Sequence, residues 1–210
     1  MSDEEIDGQP RDWRRAPLGD LCEVQAGGPS VRRNDHVERG VPLVRPADLR
    51  HQRISAGSAM VHIGPDQARD MRKYRIATHD ILVSRTGTVG RVALVTADES
   101  GWLYNTHLLR VRAHDPADAP YLCAFLSSRR VAEWLVRRAA GTTGMRSITL
   151  RTLLELPVAL PPLDRQREIG AALKAVDEKI RAHAEIVRAT AELRETLSDL
   201  LMTGRLPMSP

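Results

Sequence analysis

The feature that most constrains this chain is a long uninterrupted run near its C-terminal end. Pro161 and Pro162 end the secondary-structure element that precedes them, because proline fixes its own φ and biases the residue before it towards an extended conformation. Between Asp164 and Met202 the only glycine is Gly170, and there is no proline. The carboxylate of Asp164 is favourable in the first turn of a helix, and glycine, as at Gly204, is favoured at the position just after a helix ends. The run therefore predicts a single helix of roughly 58 Å.

Apolar residues recur along this helix at three-and-four spacing, with a shift of about one position near Val187. A helix this long, charged on its other sides, has little to pack on unless it meets a partner of similar length. We therefore predict a coiled-coil arm; the alternative is a core helix of an ordinary domain, where such lengths are rare. The residues predicted to form the pairing stripe are Ile169, Leu173, Val176, Ile180, Ala184, Val187, Leu193, Leu197 and Leu200.

The remainder of the chain predicts one mixed domain, so the fold class is α+β: a mixed α/β domain followed by the long C-terminal helix. Residues 1–12, whose first ten carry four acids and no base, predict a disordered tail. We place the domain at residues 13–160 and the helix at residues 161–206. Strands are predicted at 41–45, 80–85, 91–95 and within 102–111, a helical segment at 119–139, and loop with short helix at 51–75.

Charge is distributed unevenly along the chain. Residues 11–140 hold 21 basic and 14 acidic residues, an excess of seven positive charges, whereas residues 141–210 hold 10 and 9. A basic globular part suits a polyanionic partner such as nucleic acid. Of the 31 basic residues 28 are arginine, whose planar guanidinium forms paired hydrogen bonds with phosphates and guanine edges better than lysine does. An arginine-biased coding would give the same preference.

The sequence offers no recognisable catalytic or metal-binding motif. Its two cysteines have neither zinc-ligand nor disulfide spacing, and its seven histidines do not fall at ligand spacings. The loop Gly87-Thr88-Val89-Gly90 lacks the Lys-Ser/Thr of a phosphate-binding loop, so a tight hairpin turn is favoured there over a nucleotide site. The one Pro-Pro pair follows Leu160 and not Asn or Asp, which argues against a methyltransferase. With no apolar run of eighteen residues and no leader, the sequence predicts a cytoplasmic protein outside any membrane.

Several short stretches follow one another in a specific order. They are Trp13 with Leu18-Gly19-Asp20, the run DILVSRTGTVGR at 80–91, Asn105-Thr106-His107-Leu108, residues 141–150, LPVALPPL at 156–163 with Gln166 and Ile169, and LLMTGRL at 200–206. Together they resemble the specificity (S) subunits of type I restriction–modification systems. Members of that family usually carry two target recognition domains and two long helices, whereas this chain resembles a half-sized form with one of each.

The resemblance implies a non-catalytic subunit that recognises double-stranded DNA. S-adenosylmethionine, ATP and Mg would then be used by partner subunits, namely a methyltransferase (modification) subunit and, in a larger complex, a restriction subunit. It further implies that two copies pair through their helices and read a bipartite site. A symmetric pair would read a palindrome, with the helix setting the spacing between half-sites.

Base readout needs arginine, amide or hydroxyl side chains on loops, and phosphate contacts need similar groups. The DNA-binding candidates are Arg32, Arg33, Asn34, His36, Arg45, Arg85, Thr86, Asn105, His107, Thr142, Thr143, Arg146 and Ser147. For each the alternative is a solvated surface residue, and for Arg85 also a structural salt bridge. With only seven aromatic residues, stacking on single-stranded bases is disfavoured.

Two other classes of function remain open from the sequence. A structural adaptor would scaffold modification subunits with little DNA readout of its own. A stand-alone nuclease would need clustered carboxylates, and its candidates, Asp66, Asp70 and Asp80, lie beside basic residues rather than in one acidic motif.

Overall fold

A computed structural model describes residue 10 and residues 13–28, 30–55, 57, 60–115, 119–141 and 146–205. The predicted disordered tail lies almost entirely outside these described residues. The strands are β1 (Arg14–Pro17), β2 (Cys22–Ala26), β3 (His36–Val37), β4 (Val41–Val44), β5 (Leu49–Arg50), β6 (Arg53–Ile54), β7 (Val61–Ile63), β8 (Ile81–Ser84), β9 (Val92–Leu94), β10 (Leu103–Tyr104), β11 (Leu108–Ala113) and β12 (Pro157–Leu160). The helices are α1 (Leu18–Leu21), α2 (Pro65–Asp70), α3 (Ala119–Leu126), α4 (Arg129–Arg138), α5 (Leu150–Leu154) and α6 (Leu163–Met202), with 3₁₀ turns at Arg33–Asp35, Pro46–Asp48 and Arg72–Tyr74.

The first four-stranded sheet has the order β2-β11-β8-β9 and is antiparallel throughout. The run Ile81–Ser84 is buried at every position, as expected for a strand covered on both faces. Val83 lies opposite Val92 in the β8–β9 pair. The predicted strand–turn–strand unit is therefore confirmed.

The second four-stranded sheet has the order β10-β4-β7-β3, and its β10–β4 pair is parallel. β4 is an interior strand, and Pro42 is its second residue, opposite His62 of β7. β10 begins to pair one residue further on, at Leu43. The missing N–H of Pro42 therefore falls where the sheet requires no hydrogen bond on the β10 side.

Residues 51–75 were predicted as loop and short helix, which is only partly correct. They contain α2, and they also contain β6 and β7, which contribute to two different sheets. These strands have two and three residues, too few to produce a readable alternation, so their strand state depends on pairing with distant partners.

Three hydrophobic clusters arrange the domain in layers. The largest lies between one face of the first sheet and helices α3, α4 and α5, and it includes Leu109, Val111, Leu122, Trp134 and Leu135. The opposite face of that sheet, through Leu82 and Leu108, packs on Tyr104 and Val44 of the second sheet. A third cluster, Leu43, Val61, Ile63, Ala68 and Leu103, lies on the second sheet beside α2.

The helical segment predicted at 119–139 is two helices. Ser128 has extended backbone angles and its side chain accepts a hydrogen bond from the N–H of Val131, which makes it the N-cap of α4.

β1 and β12 pair antiparallel, from Arg14 opposite Leu160 to Pro17 opposite Pro157. This pairing brings the start of the domain to the segment that leads into α6.

The predicted long helix is confirmed as α6, whose 40 residues span about 60 Å. It ends as expected: Gly204 has φ +67°, its N–H donates to the carbonyl of Leu201, and the N–H of Arg205 donates to that of Leu200. Gly170, the one glycine inside the run, lies where an added Cβ would come within 3.2 Å of the backbone nitrogen of Tyr121. A Cβ there would be a tight contact, so close packing on α3 favours glycine at this position.

The chain divides into two compact units, Met1–Leu173 and Lys174–Pro210. The first turns of α6 belong to the first unit, where the side chain of Gln166 is buried and donates to the carbonyl of Pro161. Over the part of the chain that the structure covers, none of the helices is long and apolar enough to cross a membrane.

Candidate nucleic-acid interface

The turn between β8 and β9 is held by one buried serine. The Oγ of Ser84 donates to the carbonyl of Thr88 at 2.6 Å and accepts from the N–H of Arg91 at 2.8 Å. Gly87 and Gly90 have φ of +74° and +85°, left-handed angles that favour glycine. These contacts make residues 85–90 a tight hairpin turn, as predicted.

Two other loops converge on this turn, so that three loops meet. The N–H of Arg85 donates to the carbonyl of His107, and the N–H of Ile148 donates to the carbonyl of Arg85, both at 2.9 Å. The N–H of Gly87 donates to the carbonyl of Arg146 at 3.0 Å, and Thr86 forms a β-bridge with Ser147. Six of the predicted DNA-binding residues are thereby brought together, and we call them the recognition edge: Arg85, Thr86, Asn105, His107, Arg146 and Ser147.

Two side chains of the recognition edge are joined directly. The Oγ1 of Thr86 lies 2.7 Å from the Nδ1 of His107, and the Oδ1 of Asn105 accepts the backbone N–H of His107 at 3.1 Å. When Thr86 donates to Nδ1, the Nε2 of His107 carries the proton and is a donor. The amide nitrogen of Asn105 remains a donor as well. The edge therefore offers fixed donors of the kind that match base acceptors.

Arg85 is half-buried at the base of this edge. Its Nε is buried without a hydrogen-bond partner among the described residues. No ion pair links Arg85 to any part of the chain covered by the structure, so the alternative of a structural salt bridge gains no support there. A guanidinium left with unused donors suits an external acceptor such as a phosphate or a guanine edge.

Arg45 lies beside the recognition edge but is already engaged. Its Nε and Nη2 donate to the carboxylate of Asp48, each at 3.2 Å, and its backbone N–H donates to the same carboxylate at 2.8 Å. The N–H of Asn105 donates to the carbonyl of Val44, which places Arg45 next to Asn105. Because Asp48 compensates the charge of Arg45, this arginine is less available for base readout than Arg85.

The remaining N-terminal candidates lie at β3 and the turn that precedes it. His36 pairs with Ile63 in the edge strand β3, level with the start of β4. Arg45 and Asn105 follow the other end of β4 and the parallel β10, so the strand register separates His36 from the recognition edge. Arg32 precedes the 3₁₀ turn Arg33–Asp35 that contains Asn34, and its N–H donates to the carboxylate of Asp35. Thr142, Thr143 and the side chain of Arg33 lie outside the described residues.

A second group of cations, not singled out in the sequence, lines a groove beside the turn. The groove encloses about 530 Å³, and we call it the basic groove; it is lined by Leu49, Arg50, His51, Gln52, Gly90, Arg91, Val92 and Ser127. The position of Arg91 directly after the glycine-rich turn is the one sequence feature that could have indicated it as a candidate. His51 offered no such feature, since it opens the stretch 51–75 predicted as loop and short helix, and Arg50 lies just before that stretch in no predicted element.

The predicted pairing stripe of α6 is largely exposed. Leu173, Val176 and Ile180 expose 43%, 53% and 41% of their surface, and Leu193 exposes 58%. Ile169 differs, because it is partly buried against the largest core cluster. The exposed stripe therefore begins at Leu173, and its partner stays a prediction.

Carboxylates in the domain are paired with arginines rather than grouped. Asp80 is bound by Arg112 and Asp66 by Arg69. The residues that the structure describes include no group of three or more His, Cys, Asp or Glu side chains able to hold a metal ion. The nuclease alternative therefore has no candidate site in the described part of the chain.

Known proteins resemble this chain over most of its length. Residues 10–189 match the family model described as the type I restriction modification DNA specificity domain. The putative type I restriction enzyme MjaX specificity subunit of Methanocaldococcus jannaschii is 26% identical over 183 residues, 84% of this chain and 42% of that protein. The type I restriction enzyme EcoBI specificity subunit of Escherichia coli is 23% identical over 167 residues, 76% of this chain and 34% of that protein.

Solved structures show the same fold. The S subunit of a type I restriction–modification system from M. genitalium has a TM-score of 0.65 at 17% identity, covering 94% of this chain and 48% of that one. The HsdS subunit from Thermoanaerobacter tengcongensis has a TM-score of 0.59 at 21% identity, covering 95% and 47%. The α+β class with a long C-terminal helix is thereby confirmed. The chain spans less than half the length of each of these relatives.

Proposed function

The chain belongs to the type I restriction–modification DNA specificity family, and we propose that it recognises a DNA sequence with its recognition edge. The convergence of three separate loops on Arg85, Thr86 and His107 carries this proposal. Arginine, amide, hydroxyl and imidazole groups on one rigid edge can match the donor and acceptor pattern of base pairs in the major groove. The excess positive charge of residues 11–140 suits the surrounding phosphates.

Catalysis would then belong to other polypeptides. We propose that this chain directs a methyltransferase subunit, using S-adenosylmethionine, to adenine in the recognised site, and that a nuclease and translocase subunit using ATP and Mg joins in a larger complex. A cytoplasmic location follows from such a role. The alternative is a structural adaptor, in which α6 scaffolds the modification subunits and the domain reads little DNA.

Selection of bound duplexes from a random library tests readout against the adaptor. We expect the wild type, alone or with methyltransferase subunits, to enrich a defined sequence. Thr86→Val keeps the shape of the side chain but removes its hydrogen bond to His107, and should lose preference at about one base position. Arg72→Gln, an exposed arginine outside the recognition edge, is the control and should enrich the wild-type sequence. Enrichment of no sequence by the wild type would favour the adaptor.

We further propose that two copies pair through the exposed stripe of α6 and read a bipartite palindrome. Leucines and isoleucines exposed in series at three-and-four spacing leave an apolar seam that a second helix would cover. Without such a partner, each of these side chains would leave apolar surface in water.

Light scattering tests the pairing. The wild type is expected at a molar mass near twice 23.3 kDa, and Leu173→Glu with Ile180→Glu should reduce it to one chain. Ala171→Glu with Ala182→Glu adds the same two charges to the opposite side of the helix and should leave the mass unchanged. A wild-type monomer would contradict self-pairing and point to a second polypeptide that supplies the other helix.

A further inference from the structure

The basic groove has the chemistry of an anion site. Arg50, His51 and Arg91 are exposed side chains along its wall, and none of its eight lining residues is acidic. Neither Arg50 nor Arg91 forms an ion pair with any residue that the structure describes. Their side-chain hydrogen bonds to described residues are long and go to backbone carbonyls: Arg50 Nε to Ala47 at 3.5 Å and Arg91 Nη1 to Pro46 at 3.4 Å. Most of their donors are therefore free to meet an anion.

The turn that carries His51 is strained and firmly held. His51 and Gln52 join β5 to β6 with φ of +48° and +57°, and a left-handed residue other than glycine costs roughly 1–2 kcal/mol. The N–H of Leu94 donates to the carbonyl of Gln52 at 3.0 Å, and Gln52 forms a β-bridge with Ala93. Two-residue hairpin loops favour positive φ at both central positions, and these contacts fix the turn that presents His51 at the groove.

The groove adjoins the β8–β9 turn that carries part of the recognition edge. Arg91 leaves the same turn that carries Arg85 and Thr86, and its N–H is bonded to Ser84 at the base of that turn. Arg91 also reaches Pro46, which follows Arg45 beside Asn105. A duplex whose bases met Thr86 and His107 would extend its backbone past this groove.

From this geometry we propose that the basic groove binds the DNA backbone, with Arg50, His51 and Arg91 contacting phosphates next to the bases that the recognition edge reads. The proposal rests on the proposed DNA recognition and assigns these three residues to affinity rather than to sequence choice. The contacts of Arg50 and Arg91 with phosphates are ionic, so both should contribute to the salt dependence of binding, and all three contacts should be indifferent to sequence.

Salt titration of duplex binding tests this assignment. For the full chain, log Kd is measured against log salt, starting at low salt, with the selected sequence and a scrambled one. Arg50→Gln and Arg91→Gln should each reduce the slope by about 0.9, and together by about twice that, with equal weakening for both sequences. Arg50→Lys with Arg91→Lys keeps the charge and should restore the slope. Arg72→Gln is the matched control and should leave it unchanged.

The outcomes separate this proposal from the one it rests on. Unchanged slopes in the glutamine variants, with the wild type still choosing its sequence, overturn the groove assignment alone. A weakening confined to one sequence, or a loss only of binding to methyltransferase subunits, also overturns it, since the groove would then contact bases or an acidic protein surface. A reduced slope in a protein without sequence preference supports the groove and contradicts the proposed readout. A wild type that binds no duplex at low salt, either alone or with methyltransferase subunits, overturns both.

Discussion

Asp80 and Arg112 form an ion pair in which only Asp80 is fully buried. Removing one partner should therefore lower the free energy of unfolding by a different amount from removing the other. The carboxylate of Asp80 is 1% exposed and accepts three hydrogen bonds: from the N–H of Ala77 at 2.7 Å and from the Nε and Nη2 of Arg112 at 2.6 and 2.8 Å. Arg112 exposes 41% of its side chain, so water can replace part of what Asp80 provides. Its hydrogen bond to Asp80 raises the pKa of Arg112, so the guanidinium stays charged over any practical pH range.

Arg112→Met would leave a buried carboxylate with a single donor, a loss that typically costs 3 to 5 kcal/mol, and we expect about 4. Asp80→Asn keeps the shape and leaves the cation in contact with solvent, so we expect about 1 to 3 kcal/mol. The double variant should cost less than the sum of the two, by roughly 1 to 3 kcal/mol, because the second change removes a group that the first had already left unpaired.

Urea unfolding followed by circular dichroism measures the four free energies of this cycle. Arg129→Met is a matched control, since Arg129 pairs with Glu133 on the surface at 92% and 50% exposure, and such pairs contribute under about 1 kcal/mol. The reasoning is refuted if Arg112→Met costs no more than Asp80→Asn, or if the two losses add without coupling.

Four further predictions concern stability. Burial raises the pKa of Tyr104 and Tyr121 to about 12. Because the folded state then holds these protons more tightly than the unfolded state, stability should fall as pH rises from 10 to 12. Thermal melts at each pH would measure this fall, which should be smaller in Tyr104→Phe. At neutral pH Tyr104→Phe should be nearly neutral, since the Tyr104 hydroxyl has no partner among the described residues, whereas Tyr121→Phe should cost about 1 kcal/mol because that hydroxyl donates to the carbonyl of Ala159. Ser84→Ala should cost about 1 to 3 kcal/mol in urea unfolding, since two hydrogen bonds of the β8–β9 turn are lost. An unchanged stability would mean that the turn does not depend on Ser84. Gly28→Ala places a Cβ 1.8 Å from the carbonyl oxygen of Tyr104 and should cost more than 3 kcal/mol of unfolding free energy. A variant as stable as the wild type would contradict this close approach of the two backbones.

Much of the site was predictable from local sequence, and the exceptions have identifiable causes. The turn after β8 was read from Gly87 and Gly90, and its role as a hairpin is confirmed. Arg45 was a reasonable candidate by position, but its partner Asp48 lies in the adjoining 3₁₀ turn, and sequence spacing alone does not distinguish an engaged arginine from a free one. His36 was grouped with the others by composition, whereas the register of β3 on β7 places it at the other end of its sheet.

The sequence by itself determined the elements whose signal is local. The α6 helix follows from a long run without proline, its end from Gly204, and the β8–β9 unit from two apolar runs around a glycine turn. Only the tertiary structure decided which loops meet. Thr86, His107 and Ser147 are distant in the chain and are joined by hydrogen bonds and strand pairing between non-consecutive strands. Such contacts depend on the packing of whole layers, which no window of sequence contains.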